Sequence, residues 1–373
     1  MDFKNGQSQK IELSLQRELP GRWLAEVSYI GNRGYDLIAG VDLNPVPAQY
    51  LSTSPVRDQA AIDFLTANVT NPFRNIELFR GTNFFTAAQV QRQQLLRPFP
   101  HFTGVTGQRF DGSSSYHSMQ LRLERRFANG HTVLGTYAFS KGLEKLSLLN
   151  PTDPEFENRL TAFDSPHRVN LSFIYELPWG RGRKWGSNWG GWKEALIGGV
   201  QVQGLYFRQS GLPITLGNIY FNGDLRQLKL DVNSKTVGAL GTSNQTDNVF
   251  QTDLSRTGFY FQDAAVQTNG VPDIVKQRND PRIQLANNIR TLPTRVGNLR
   301  GDAQTLTDLS LIKNFAFTEN VKLQLRVEMI NAFNNWLFQA PDLNPRNATF
   351  GRVTNSNPFA LPREYQIGLK LLF

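Results

Sequence analysis

Glu364-Tyr365-Gln366-Ile367-Gly368-Leu369-Lys370-Leu371-Leu372-Phe373 is the stretch that decides the fold. Tyr365, Ile367, Leu369, Leu371 and Phe373 fall on one face of a strand. Gln366, Gly368 and Lys370 fall on the other, with Leu372 the one exception. A strand of about ten residues with one apolar face and an aromatic at its end suits a β-barrel in a lipid bilayer. The edge of a soluble sheet is rarely left so long and so apolar. These five apolar residues are expected to form a barrel-closing strand.

Working outward, eight further segments alternate with period two. They are 9–19, 22–30, 116–127, 131–141, 167–177, 199–210, 303–316 and 321–334. In 116–127, for example, Met119, Leu121, Leu123 and Phe127 oppose Gln120, Arg122, Glu124 and Arg126. The pattern blurs in 199–210, where Leu205 and Phe207 intrude, and a bulge is expected there. The connections sort into two kinds. Pro20-Gly21, Ala128-Asn129-Gly130, 178–198 and Thr318-Glu319-Asn320 are comparatively short, whereas 31–115, 142–166, 211–302 and 335–362 are long. An up-and-down meander puts all the short ones at one end, as transmembrane barrels do with periplasmic turns and extracellular loops. Within the first long loop, Val56, Ala60, Phe64 and Leu65 have near-helical spacing and predict a short helix over 56–68.

The reading is therefore all-β: an antiparallel up-and-down transmembrane β-barrel, partial, of about nine or ten strands, with long extracellular loops. Single-chain bacterial barrels have an even number of strands. If the final strand ends in the periplasm, the first of nine starts outside, so the chain 1–373 is expected to be the C-terminal part of a larger barrel. Truncation also accounts for an N-terminus, Met1 to Lys10, without an apolar signal core.

Composition agrees. Hydrophobic residues make up only 39% yet aromatics reach 11%, with 26 Phe; a barrel strand needs apolar residues only at every second position. No run of 18 apolar residues exists, so no transmembrane helix is encoded. The absence of cysteine removes disulfides, cysteine–zinc sites and cysteine nucleophiles. Arg17, Arg125, Lys141 and Lys313 lie on apolar faces, but all in the last third of their strands, where they can snorkel to headgroups. Trp23, Phe127, Phe139, Phe315, Phe333 and Phe373 sit near strand ends, as interfacial girdles do. The net charge of +9 is spread along the chain without a nucleic-acid motif. Outer-membrane lipid and lipopolysaccharide phosphates are the expected anionic partners, not nucleic acid.

Several phrases carry a family resemblance. They are Tyr29-Ile30-Gly31-Asn32-Arg33-Gly34, Phe163-Asp164-Ser165-Pro166-His167-Arg168, Leu177-Pro178-Trp179-Gly180-Arg181-Gly182-Arg183, Gly190-Gly191-Trp192 and Gln209-Ser210-Gly211-Leu212-Pro213. Asp308 to Phe315 and Glu328 to Asn334 continue the series. With the terminal Phe373, their order and spacing resemble the C-terminal barrel of Oar-like TonB-dependent receptors. That resemblance implies a 22-stranded barrel around a plug, importing a scarce nutrient with energy delivered through TonB. On that pattern, residues 1–373 are expected to fall within the barrel, without the plug, the TonB box or the N-terminal domain. The plug and the remaining strands of the same receptor are thus implied partners, TonB acts only through the plug, and the transported ligand is unknown.

On the polar strand faces, Arg122, Glu124, Arg126, Arg168, Lys322, Arg326 and Glu328 are the residues expected to face the lumen and meet the plug. Ligand contacts would come from 31–115, 211–302 and 335–362. The basic Gly180-Arg181-Gly182-Arg183-Lys184 lacks phosphate-loop spacing and reads as an interfacial turn. Trp179, Trp185, Trp189 and Trp192 read as an interfacial belt in preference to a sugar platform. Asp153 to Glu157 lacks calcium-loop spacing. His101, His117, His131 and His167 form no HExxH pair, and no G-x-S-x-G elbow occurs. No cofactor, metal site or catalytic residue is expected, and the chain reads as a non-enzyme. Two alternatives stand beside the importer. One is a stand-alone outer-membrane pore or adhesin-like barrel. The other is a barrel lipid hydrolase, using Ser118 or Ser172 with His117 or His167.

Overall fold

The structure is a computed structural model that describes residues 3–128, 130–219, 285–318, 321–340 and 362–373. β1 (Gln7–Leu19) and β2 (Trp23–Asp42) form a hairpin across Pro20-Gly21-Arg22, where Gly21 takes φ of 82°. Glycine adopts that left-handed conformation without steric cost. The connection that follows holds α1 (Gln59–Thr66), α2 (Asn83–Thr86), α3 (Arg92–Leu95) and a small ladder of β3 (Asn68–Thr70) with β4 (Gln89–Gln91). Next come β5 (Thr106–Ala128), β6 (His131–Lys145), β7 (Arg159–Leu160) and β8 (His167–Glu176). After α4 (Gly191–Ile197) and β9 (Val200–Gln209), β10 (Pro213–Thr215) pairs with β11 (Arg295–Arg300). The chain finishes with β12 (Gln304–Ala316), β13 (Lys322–Ile330) and β14 (Glu364–Leu372).

Nine strands make one antiparallel meander, β1-β2-β5-β6-β8-β9-β12-β13-β14, with β7 added onto β6. The sheet is open: β1 and β14 are its edges, and no described strand pairs with their outer sides. Register carries one set of side chains across the whole sheet. The row Leu15, Val27, Leu121, Tyr137, Val169 is apolar over five strands before it reaches Arg208 and Thr305, and Leu309, Met329, Tyr365 are apolar on the last three. Since a one-residue slip would invert both faces, this register is strongly specified. Among the described residues nothing covers the ends of these rows: Leu15 is 75% exposed and Tyr365 62%. An uncovered apolar face of this extent matches lipid, not water. The small buried cluster of Ala39, Val41 and Phe156, with Leu148 against it, lies at the long-connection end.

Several expectations change. β2 runs on to Asp42 and β5 begins at Thr106, so much of 31–115 is strand. The register shifts between Gly34 and Leu37 and again between Leu37 and Ala39, which breaks the alternation that period-two reading depends on. β6 likewise reaches Lys145, and β7 occupies part of 142–166. The bulge expected in 199–210 is absent, because β9 pairs in continuous register with both β8 and β12. Leu205 and Phe207 instead sit on the polar face, opposite Asp308 and Leu306. β13 stops at Ile330, where Asn331 takes φ of 49°, leaving Phe333 in the turn beyond the strand. The expected turn residues Asn129, Glu319 and Asn320, and the stretches 220–284 and 341–361 of two expected loops, lie outside the described residues.

Candidate functional site

The polar face of the sheet is the candidate functional wall. On β5, Arg122 reaches Glu124 at 2.6 Å along its own strand and Glu26 of β2 at 3.6 Å. Arg168 of β8 donates to Gln209 at 3.1 Å. On β13, Arg326 donates to Gln324 at 3.0 Å and lies 3.9 Å from Glu328, while Lys322 stands at the turn end. The expected lumen residues therefore share a face but form two patches. The β13 patch is five strand positions from Arg122, roughly 24 Å at about 4.8 Å per step. The side chain of Arg126 lies outside the described residues. Arg122 and Arg168 line a cavity of about 450 Å³ with Glu26, Asn170, Tyr116, Phe163 and Asp164. The segment 161–165 folds over the wall to form its lid, and Phe163 there is 84% exposed.

Asp164 fixes that segment. Its carboxylate accepts from the Gly142 amide at 2.6 Å and from Arg300 Nη2 at 2.6 Å, and Arg300 Nη1 donates to the Asp164 carbonyl at 2.8 Å. Beside it, Glu144 accepts from Arg159 at 2.9 Å and from Arg295 at 2.9 Å. Arg159 also lies 3.6 Å from Glu157, which accepts from the Thr294 amide at 2.6 Å. Asn150 and Arg290 exchange hydrogen bonds of 2.7 and 3.1 Å. These largely buried charges pin residues 290–300 onto 142–166, at the end of the sheet opposite the hairpin turns. Burial lowers the Arg290 pKa from its ordinary value. A second cavity of about 560 Å³ lies between Ser210–Thr215, Gly301–Gln304 and Leu337–Ala340. Burial there raises the Asp302 carboxyl above its ordinary range. This latch escaped sequence reasoning. Glu144 and Arg295 are 151 residues apart, and Asp164 and Arg300 are 136 apart. The only local trace was the Phe163-Asp164-Ser165-Pro166 phrase.

The remaining candidates are placed as follows. Asp153 accepts from the Asn150 amide at 2.9 Å and Glu157 from Thr294, so the two carboxylates serve separate protein donors. His117 meets the Tyr29 hydroxyl at 2.7 Å and His167 the Tyr137 hydroxyl at 2.8 Å, all on the apolar face. Ser118 and Ser172 point to the opposite face, since successive strand residues alternate. No pairing of those serines with those histidines is possible, which removes the geometry of the hydrolase alternative. Tyr365, Ile367, Leu369, Leu371 and Phe373 are exposed, and among the described residues β14 pairs with β13 alone. Arg125 stacks over Trp23 at 5.5 Å. Lys313 does not snorkel: it is buried, with its amine against the carbonyls of Glu194 and Gly198. Arg183 of the basic turn pairs with Glu176 at 2.8 Å. The helix predicted over 56–68 is α1, capped by Asp58, whose side chain accepts from the Ala61 amide.

A family model described as "Outer membrane beta barrel domain" matches residues 1–366. No curated protein matches. Among solved structures, the chain is similar to the outer membrane transporter YddB from Escherichia coli, at 11% identity and a TM-score of 0.42, covering 100% of this chain and 33% of that one. It is also similar to the pyoverdine outer membrane receptor FpvA from Pseudomonas aeruginosa PAO1, at 11% identity and 0.39, covering 99% and 30%. The ferric-catecholate import receptor Fiu from E. coli K12 gives 8% identity and 0.39, covering 99% and 28%. The chain thus spans about a third of the length of these structures.

Proposed function

Because the chain belongs to the outer membrane beta barrel domain family, and is an integral β-barrel protein of the outer membrane, we propose that it forms part of the wall of an energy-coupled importer of the TonB-dependent receptor type. The observation that carries this reading is the two-faced open sheet. One face is a continuous lipid-compatible surface. The other is polar, charged and partly lidded by connections pinned at one end only. A closed soluble sandwich needs neither feature.

On this reading the pinned connections face outside and the hairpin turns face the periplasm. Arg122, Glu124, Arg126, Arg168, Lys322, Arg326 and Glu328 face the lumen, where they meet a plug through ion pairs and hydrogen bonds. TonB acts through that plug. β14 and β1 accept further strands of the same receptor, so that Tyr365, Ile367, Leu369, Leu371 and Phe373 continue the lipid belt. Lipopolysaccharide contacts the outer rim. The chain 1–373 is then the C-terminal part of the barrel, and its connections 31–115, 211–302 and 335–362 contribute to the ligand site. The Oar-like phrases support this, since Asp164 within one of them holds the lid over the wall.

Deleting the gene is expected to lower uncoupler-sensitive uptake of one scarce nutrient, screened from defined limiting media. Unchanged uptake across the panel, or steady conductance by the chain alone in a planar bilayer, would refute the reading. The second result would favour a stand-alone pore.

A further inference from the structure

The connection between β8 and β9 is the longest at the hairpin-turn end, and it is not a simple turn. It is a folded unit. The Gly180 amide donates to the Trp185 carbonyl at 2.9 Å, and the Trp185 amide donates to the Pro178 carbonyl at 3.0 Å. The Glu194 side chain accepts from the Arg181 amide at 2.8 Å, tying the Pro178–Gly182 turn to α4. Within α4, Trp192 and Leu196 are four residues apart and share a face. They are 65% and 62% exposed, and Trp185 is 53% exposed. Lys193 stacks over Trp192 and Lys184 over Trp185. The stretch 178–199 carries four basic residues and one acid, and that acid, Glu194, is turned into the unit.

Lys313 says where this unit lies. It shares the lipid-compatible face of β12 with Leu309, Leu311 and Phe315, and its register neighbours are Val200 and Leu325. A lysine facing lipid costs from about 0–1 kcal/mol at the interface to roughly 2–4 kcal/mol at the midplane. Here its amine meets the carbonyls of Glu194 and Gly198 at the C-terminal end of α4, where backbone carbonyls carry partial negative charge. The end of α4 therefore sits against the outer, lipid-facing side of the wall, not across the lumen.

We infer that residues 178–199 are an interfacial anchor, held by Lys313 at the lower edge of the lipid belt and seated in the phospholipid leaflet at the hairpin-turn end. Trp185, Trp192 and Leu196 enter the headgroup boundary. Arg181, Lys184 and Lys193 meet the phosphodiester groups. Two observations select this occupant. The unit joins the belt at Lys313, whose register neighbours Val200 and Leu325 lie on the belt face, and its cations complement phosphate. Aromatic rings at headgroup level and cations reaching for phosphate are the ordinary chemistry of this zone.

This inference rests on the transmembrane reading of the outer face, and the test separates the two. The chain contains no cysteine, so single nitroxide labels at Leu196→Cys, Leu311→Cys and Leu78→Cys report three positions in the full chain. The bilayers are of phosphatidylethanolamine and phosphatidylglycerol. Dissolved oxygen reports lipid exposure and a water-soluble nickel chelate reports water. Leu311 is expected to respond to oxygen alone and Leu78, in the connection after β2, to the nickel chelate. Leu196 is expected to respond to oxygen with a depth at the headgroup boundary. A Leu196 label that matches Leu78 while Leu311 remains in lipid would overturn the anchor and leave the belt intact. A Leu311 label in water would overturn the transmembrane reading itself. Adding Lys313→Met should shift the Leu196 label toward the nickel response while Leu311 is unchanged. An unchanged Leu196 response in that background would overturn the role given to Lys313.

Discussion

Placing a charge at Leu121 tests the two faces of the wall directly. Leu121 of β5 lies in the row between Val27 and Tyr137, and Trp23 pairs with Arg125 four residues nearer the hairpin turn. Four residues at about 3.3 Å each are roughly 13 Å along the strand. A tilt of about 40° makes that roughly 10 Å of depth, within a band about 25 Å tall. With Trp23 at the interface, Leu121 is within a few ångströms of the midplane. Leu121→Arg should therefore cost roughly 2–4 kcal/mol, about a 30- to 900-fold loss in the folded-to-unfolded ratio. Gln120 is the adjacent residue on the opposite face, between Ser28 and Ala138 and lining the cavity. Gln120→Arg should stay within about 0.5 kcal/mol. The assay is guanidinium unfolding from lipid bilayers, followed by tryptophan emission. Equal costs for the two substitutions would refute the assignment of one face to lipid. A larger cost at Gln120 would mean that the faces are inverted.

Arg295→Ala leaves Glu144 with one of its two guanidinium partners. Losing one of two charge-assisted hydrogen bonds to a largely buried carboxylate costs about 1.5–3 kcal/mol, expected as faster amide exchange confined to residues 285–300; uniform exchange would deny the latch. Gly204 lies under the Phe173 ring, where an added Cβ would meet ring carbons at 2.4 and 2.5 Å. Gly204→Val should destabilise by roughly 1–3 kcal/mol through overpacking, and Phe173→Ala in the same chain should recover part of it. Without that recovery in a double-mutant cycle, the contact is not the cause. The Asp58 carboxyl is held below its ordinary range, first by the Ala61 amide and then by the Ser52 hydroxyl. A lowered pKa stabilises above the unfolded value, so the contribution is lost as pH falls through the acidic range. Exchange at 59–66 should rise on acidification, and Asp58→Asn should flatten that response. Asp302 has the opposite sign: burial raises its pKa, so its protonated form is the favoured one. Its surroundings should be most stable at low pH and loosen as pH rises through the raised value, an effect that Asp302→Asn should abolish.

The nine strands were legible because each has one face in lipid and one in a polar space, which writes period two into the residues. Legibility failed where that pressure stops. Beyond Gly34, β2 leaves the apolar belt, shifts register twice and pairs with the Gly- and Ser-rich start of β5. Composition alone reads such a stretch as loop. Leu205 and Phe207 suggested a bulge because an apolar residue on the polar face and a shifted register look the same in sequence. Lys313 was assigned to snorkelling because strand position was visible and the return of α4 was not. The Arg122–Glu124 pair was legible as two charges on one face. The Glu144–Arg295 and Asp164–Arg300 pairs were not, since nothing local marks partners more than a hundred residues apart.

The unequal lengths of the strands have a consequence for how large bodies approach the molecule. Past the Gly31–His117 pair, the β2–β5 ladder continues to Asp42 and Thr106, about eleven residues and roughly 36 Å along the strand. β13 and β14 end one pair beyond Met329–Tyr365. Among the described residues, the β2–β5 side of the sheet thus rises as a stiff ladder well past the end of the β13–β14 ladder. A stiff ladder loses little conformational freedom when gripped, so docking there carries a smaller entropic cost than docking on pliable loops. Antibodies raised against this protein should concentrate on that tall ladder.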